Sequence, residues 1–79
     1  LEIGGEGFVL PGPANRLRTN PNTDSAIITN ISGEAFFFVT EGPVCAQGFV
    51  WWEVIYNEQV GWTAEGTDGQ YYVAPAPAG

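Results

Sequence analysis

The chain has no histidine, no lysine and no methionine, and only one cysteine among its 79 residues. Without an imidazole or an amine there is no ordinary general base to activate Cys45 or a serine, and no partner for a Schiff base, which excludes the common forms of nucleophilic catalysis. Paired carboxylates are left, as in glycoside hydrolysis, but they need a cleft that so small a chain rarely provides. Neither an enzyme activity nor a cofactor is therefore expected. Cys45 cannot close an internal disulfide and lacks the companions of a zinc site. It reads as a small, partly buried residue in a turn, with an intermolecular bridge as the alternative.

Positive charge is nearly missing as well. Two arginines face nine carboxylates, for a net charge of -7. Such a chain repels phosphate backbones and anionic lipid, so neither nucleic acid nor a membrane surface is an expected partner. No apolar run approaches the ~20 residues of a membrane-spanning helix, and no basic-then-apolar leader is visible. The start at Leu1 reads as a processing cut or an excerpt, and a secreted, extracellular setting is the expectation.

What the chain does hold is apolar and aromatic. Hydrophobic residues make up 44% and aromatics 14%, enough for one core, and the length allows one domain. Glycine and proline are spread throughout and cut the sequence into short β-like runs, with no helical stripe of ten residues or more. These features predict an all-β fold, a small and partly open barrel.

Residues 1–14 read as an extended N-terminal arm carrying Ile3, Phe8, Val9 and Leu10, able to fold back on the barrel or to reach a neighbour. In "NRLRTNP" the alternation turns Leu17 inward and leaves Arg16 and Arg18 outside, solvated or paired with carboxylates. "TNPNTDS" reads as a long, ordered polar loop. "AIITNI" is a β-branched strand, and Ser32-Gly33-Glu34 a tight turn into "AFFFVTEGPV". There Phe36 and Phe38 are expected inside, which puts Phe37 and, without a bulge, Val39 on the outer face. "FVWWEVIY" sets Val50, Trp52, Val54 and Tyr56 against Phe49, Trp51, Glu53 and Ile55, and neither side is wholly polar. "TDGQYYV" reads as a loop with a short helical turn before a last strand, and residues 74–79 as a Pro/Ala-rich tail.

From Asn15 to Val73 the order of these signals resembles the bacterial SH3-like (SH3b) family. The resemblance is carried by "RLRTNPNTDS", by the hairpin "AIITNISGEAFFFV", by "WWEV" and "VGW", and by the closing "YYV". It implies a five- or six-stranded, partly open, non-catalytic barrel of secreted or cell-envelope bacterial proteins, some of which bind wall peptides. By position it also implies a core of Leu17, Ile28, Ile31, Phe36, Phe38, Val54 and Trp62, with Trp51 nearest the ligand groove. Asn20 stands where the family has glycine, the hairpins are more aromatic, and arms extend at both ends.

Trp52 and Trp62 are expected to fill the core. Trp51, Phe37, Tyr56, Tyr71 and Tyr72 exceed what a barrel this small can hide, and with Glu53 and Glu65 they make a candidate contact surface with acidic edges. Glu53, Glu65 and Asp68 lack the spacing of a calcium loop and read as a solvated rim, not a metal site. Asn30-Ile31-Ser32 fits a glycosylation acceptor but reads as a turn.

Two functions fit. In one, the chain is a self-associating structural subunit of an extracellular fibre or tube. The arm residues Ile3, Phe8, Val9 and Leu10 and the exposed aromatics then bind copies of itself. In the other, it is a targeting module of a larger envelope protein that binds a cell-wall peptide or extracellular protein through Trp51, Tyr56 and Tyr72, with Glu53 and Glu65 meeting amines of the ligand.

Overall fold

The computed structural model describes residues 1–67 and 70–76. Among them there is no helix. The strands are β1 (Glu6–Val9), β2 (Asn15–Arg18), β3 (Ile27–Ile31), β4 (Phe36–Ala46), β5 (Phe49–Tyr56), β6 (Gln59–Thr67), β7 (Gln70–Tyr71) and β8 (Val73–Pro75). They form one antiparallel sheet in the order β3-β2-β6-β5-β4-β1-β8, with β7 paired to β6. The sheet curls into an open half-barrel, the all-β, SH3-like architecture expected. The strand count exceeds five or six because both arms pair: β1 lies between β4 and β8 of its own chain. The helical turn expected within "TDGQYYV" is not found among its described residues, because Thr67 and Gln70–Tyr71 pair as β6 and β7 and Val73 begins β8; residues 68, 69 and 77–79 lie outside the described residues.

Two long hairpins organise the sheet. β4 and β5 meet at Gln47-Gly48, and β5 and β6 at Asn57-Glu58, each a two-residue loop with positive φ at both positions. That geometry matches the right-handed twist of the flanking strands. The "TNPNTDS" loop is ordered by its own polar groups. Asp24 N donates to Asn22 Oδ1 at 3.0 Å, and Ser25 Oγ contacts the carbonyls of Asn20 and Asn22. Gln47 Oε1 accepts from both N and Oγ1 of Thr23, which ties the loop to the β4–β5 turn.

The inner face of the curl carries Val9, Leu17, Ile31, Phe37, Val39, Trp52, Val54 and Val73, with Leu1, Ile28, Tyr56 and Tyr72 packed at its margin. Three expectations are corrected here. Phe36 and Phe38 lie outside, 53% and 58% exposed, while Phe37 and Val39 are buried. The register explains it: Val39 sits opposite Val54, and paired residues share a face, so the inward position of Val54 draws in Val39 and Phe37. Gly7 stands opposite Phe37, and a Cβ there would come within 2.8 Å of its ring, so only glycine leaves room for this phenyl. Trp62 is half-buried on the reverse face, opposite Glu53 and Arg18, because Gly61 and Thr63 take the inward positions of β6.

Arg18 is the third correction. It is 8% exposed, not solvated, because the loop after β2 folds over it and its Nη1 donates to the carbonyls of Thr23 and Ser25 at 3.0 and 2.9 Å. Cys45 also departs from the expected turn: it is exposed and lies within β4, opposite Val50.

Candidate functional site: an apolar sheet face and an arginine-lined hollow

The reverse face of the sheet can be followed row by row through the register. Phe8 pairs with Phe36, their ring centroids 5.7 Å apart. In the next row Phe38 pairs with Ile55, and Ile55 with Val60. Phe36, Phe38, Ile55 and Val60 are all exposed. Side chains that alternate outward on four neighbouring strands thus make one continuous apolar strip. One row further, Glu41, Glu53, Trp62 and Arg18 cross the same face. Glu53 is half-buried there and accepts a hydrogen bond from Thr40 Oγ1 at 2.9 Å.

Beyond that row the face dips into a hollow of about 360 Å³. Trp51 forms part of its wall and is itself only 2% exposed, with its Nε1 donating to the carbonyl of Ala46 at 3.1 Å. Phe49 leans on Trp51 at 5.7 Å between centroids. Tyr72, Asn15, Arg16 and Arg18 complete the lining the site depends on. The two arginines are the only cations among the side chains, and both border this one hollow.

Asn15 is fixed by both hydrogens of its amide. Nδ2 donates to Thr63 Oγ1 at 2.7 Å and to the carbonyl of Ala64 at 2.9 Å, while Thr63 Oγ1 donates to the carbonyl of Arg16 at 3.0 Å. β2 and β6 share few ladder pairs, so this side-chain relay is what closes the sheet at that seam. A second hollow of about 250 Å³ adjoins the first and shares Asn15 and Tyr72 with it; its far end is lined by Leu10, Pro11, Pro13 and Tyr71.

The residues expected to form one contact surface are therefore dispersed. Phe37 is in the core, and Tyr56 packs against the core from its margin. Trp51 and Tyr72 both line the hollow, and Tyr71 stands exposed at the adjoining one. Glu65 borders a separate shallow hollow and accepts from Trp52 Nε1 at 2.6 Å. Of the arm residues, Val9 is buried in its own chain, Phe8 and Leu10 are half-buried, and Ile3 is exposed. Among the described residues no three acidic or cysteine side chains gather as metal ligands would. Asp68 lies outside the described residues.

No family model matches this chain, and no curated protein matches it.

Sequence reasoning missed the apolar strip and the arginine hollow. The strip was hidden by the parity of the three phenylalanines, which local alternation leaves undecided. The hollow had a visible signal: the only two cations of an acidic chain, two residues apart on one strand.

Proposed function

We propose that this protein is a non-catalytic module that associates with copies of itself, as a structural subunit of an extracellular assembly, through the reverse face of its sheet. One observation carries the reading: the exposed strip of Phe36, Phe38, Ile55 and Val60, extended by Phe8, across four adjacent strands. A contiguous apolar strip on so small a chain marks an interaction surface, whereas scattered single residues do not. Packing two such faces gives a closed pair. Growth into a fibre or tube needs a further, non-identical contact, and the terminal strands of the sheet, β3 and β8, offer two different edges for it. The N-terminal arm has a smaller part in this reading, because the hydrogen bonds of β1 are already made to β4 and β8 of the same chain.

Light scattering tests the proposal. The chain should run at multiples of 8.5 kDa, and the double substitution Phe36→Lys with Phe38→Lys should return it to the monomer with its circular dichroism unchanged. A wild-type chain that stays monomeric at about 1 mM, where even a weak dimer would show, overturns self-association.

A second reading, a ligand-binding module within a larger bacterial envelope protein, is favoured by the hollow beside Trp51. The charge of its lining argues against the amine-bearing ligand expected from Glu53 and Glu65, since both arginines border the hollow while those carboxylates are engaged by Thr40 and Trp52.

A further inference from the structure

We propose that the two joined hollows beside Trp51 bind an organic carboxylate with an apolar body, the carboxylate seated at Arg16 and Arg18 and the body lying towards Pro11, Pro13 and Tyr71. The inference deepens the ligand-binding reading and rests on it; it does not depend on self-association.

The trough is polar at one end and apolar at the other. At the first end, Arg18 is largely buried, and its Nη1 is committed to two main-chain carbonyls. Among the described residues no fully enclosed side-chain nitrogen or oxygen lacks a partner. Among the described residues the remaining guanidinium donors, Nε and Nη2, have no hydrogen-bond partner and are not fully enclosed, and Arg18 borders the hollow. A guanidinium held rigidly by carbonyls keeps its charge and offers its other edge in a geometry that suits a carboxylate. Arg16, exposed on the same strand, adds a second positive charge. The rest of the chain is acidic, yet at physiological ionic strength exposed charges more than about 8 Å away are largely screened, and the two nearby arginines set the local sign.

The other end suits the rest of such a ligand. Phe49, Trp51 and Tyr72 flank the first hollow, and Leu10, Pro11, Pro13 and Tyr71 the second. At the junction Asn15 spends both amide hydrogens on Thr63 and Ala64, which leaves Oδ1 as an acceptor. A carboxylate, then an amide N–H, then an apolar side chain is the chemistry of a peptide's C-terminal end. A free aromatic acid supplies the first and last of these without the amide. Together the hollows fall within the range of about 300–1,000 Å³ usual for small-molecule sites.

The test is a titration of the nitrogen-15-labelled chain with acetyl-Ala-Ala-Phe, with the same peptide as its C-terminal amide, and with 3-phenylpropionate. The acid peptide should shift the Trp51 indole and Asn15 side-chain amide signals saturably and bind about tenfold tighter than the amide, as charge-assisted hydrogen bonds require. Arg16→Gln should remove most of that preference and leave the amide's binding unchanged; because Arg16 is exposed, the rest of the spectrum should be preserved. Phenylpropionate binding as tightly as the acid peptide supports the site with a free acid as its ligand. Equal binding of acid and amide overturns the carboxylate while the ligand-binding reading stands. No shift at Trp51 with any probe up to about 10 mM overturns both.

Discussion

Trp52 Nε1 donates to Glu65 Oε1 at 2.6 Å, joining the largest side chain of the core cluster to a carboxylate one strand away. Trp52 is buried in the core cluster, and Glu65 lies in the register shift between the Val50–Gly66 and Trp51–Ala64 pairs of β5 and β6. The carboxylate expected to meet a ligand's amine thus has a structural duty. Glu65→Ala leaves a buried donor without its acceptor and should cost about 1–3 kcal/mol in urea unfolding, whereas Glu65→Gln keeps an acceptor oxygen and should cost less. Equal losses in the two variants would mean that the carboxylate's packing, not its hydrogen bond, is what matters.

The face assignment of the three phenylalanines gives a direct contrast. Phe37 is enclosed and Phe36 and Phe38 are not. Phe37→Ala should therefore cost about 3–5 kcal/mol, while Phe36→Ala and Phe38→Ala should change stability by far less. Gly7→Ala should behave like a core variant although it adds one methyl, because that methyl lands 2.8 Å from the Phe37 ring. Chemical denaturation curves of the four variants beside the wild type read out the order. Phe36→Ala as damaging as Phe37→Ala would mean that the strand runs in the opposite parity.

These residues also show how far the sequence can be read. The all-β class was legible, because glycine, proline and β-branched residues punctuate the chain at strand length and no helical stripe competes. Leu17 was legible as core from alternation within its own strand, Trp52 was expected there as a large ring to be hidden, and Ile31 and Val54 were expected there only by the resemblance; all four are in the core. The parity of "AFFFV" was not legible, since an apolar residue at every position satisfies either face, and only pairing with Val54 across the sheet decides it. Trp51 was expected beside a ligand groove; in the fold it is nearly enclosed and forms part of the wall of the hollow. The burial of Arg18 was beyond local reading, because it depends on the carbonyls of a loop that closes over it.

Thr63 ties that region together. Its hydroxyl is wholly buried, accepts from Asn15 Nδ2 and donates to the carbonyl of Arg16. Thr63→Val keeps the shape but removes both bonds at the seam between β2 and β6, and should cost about 1–3 kcal/mol. Hydrogen exchange should then quicken first at β2 and β3, whose strand pairing beyond this seam is only with each other. Uniform quickening across the whole sheet would show that the seam is not a local weak point.

Removing residues 1–10 should unfold the protein and not merely uncouple it from neighbours. The deletion takes out β1 from between β4 and β8, strips Val9 from the core, and leaves Val73 without its paired partner. Circular dichroism of the truncated chain should show loss of cooperative melting. A truncated chain that melts as sharply as the full one would mean that the arm is dispensable to the fold, and would restore it as a connector between copies.

The two tight hairpins differ in whether glycine takes the second loop position, and that difference should be measurable. Gln47-Gly48 has φ of 54° and 78°, and Asn57-Glu58 has 52° and 66°. Both loops need left-handed backbone at each position, but only the first places glycine second, where the left-handed form carries no Cβ penalty. Asn57 is well suited to its place, while Glu58 holds a conformation that costs an ordinary residue about 1 kcal/mol. Glu58→Gly should therefore stabilise the chain by up to about 1 kcal/mol even though glycine loosens the unfolded state, and Gly48→Ala should destabilise it by a similar amount. Glu58 is exposed and takes part in no side-chain hydrogen bond described for these turns, so the thermal midpoint reports the backbone alone. A lower midpoint for Glu58→Gly would show that the unfolded-state entropy of the added glycine outweighs the relief of the turn.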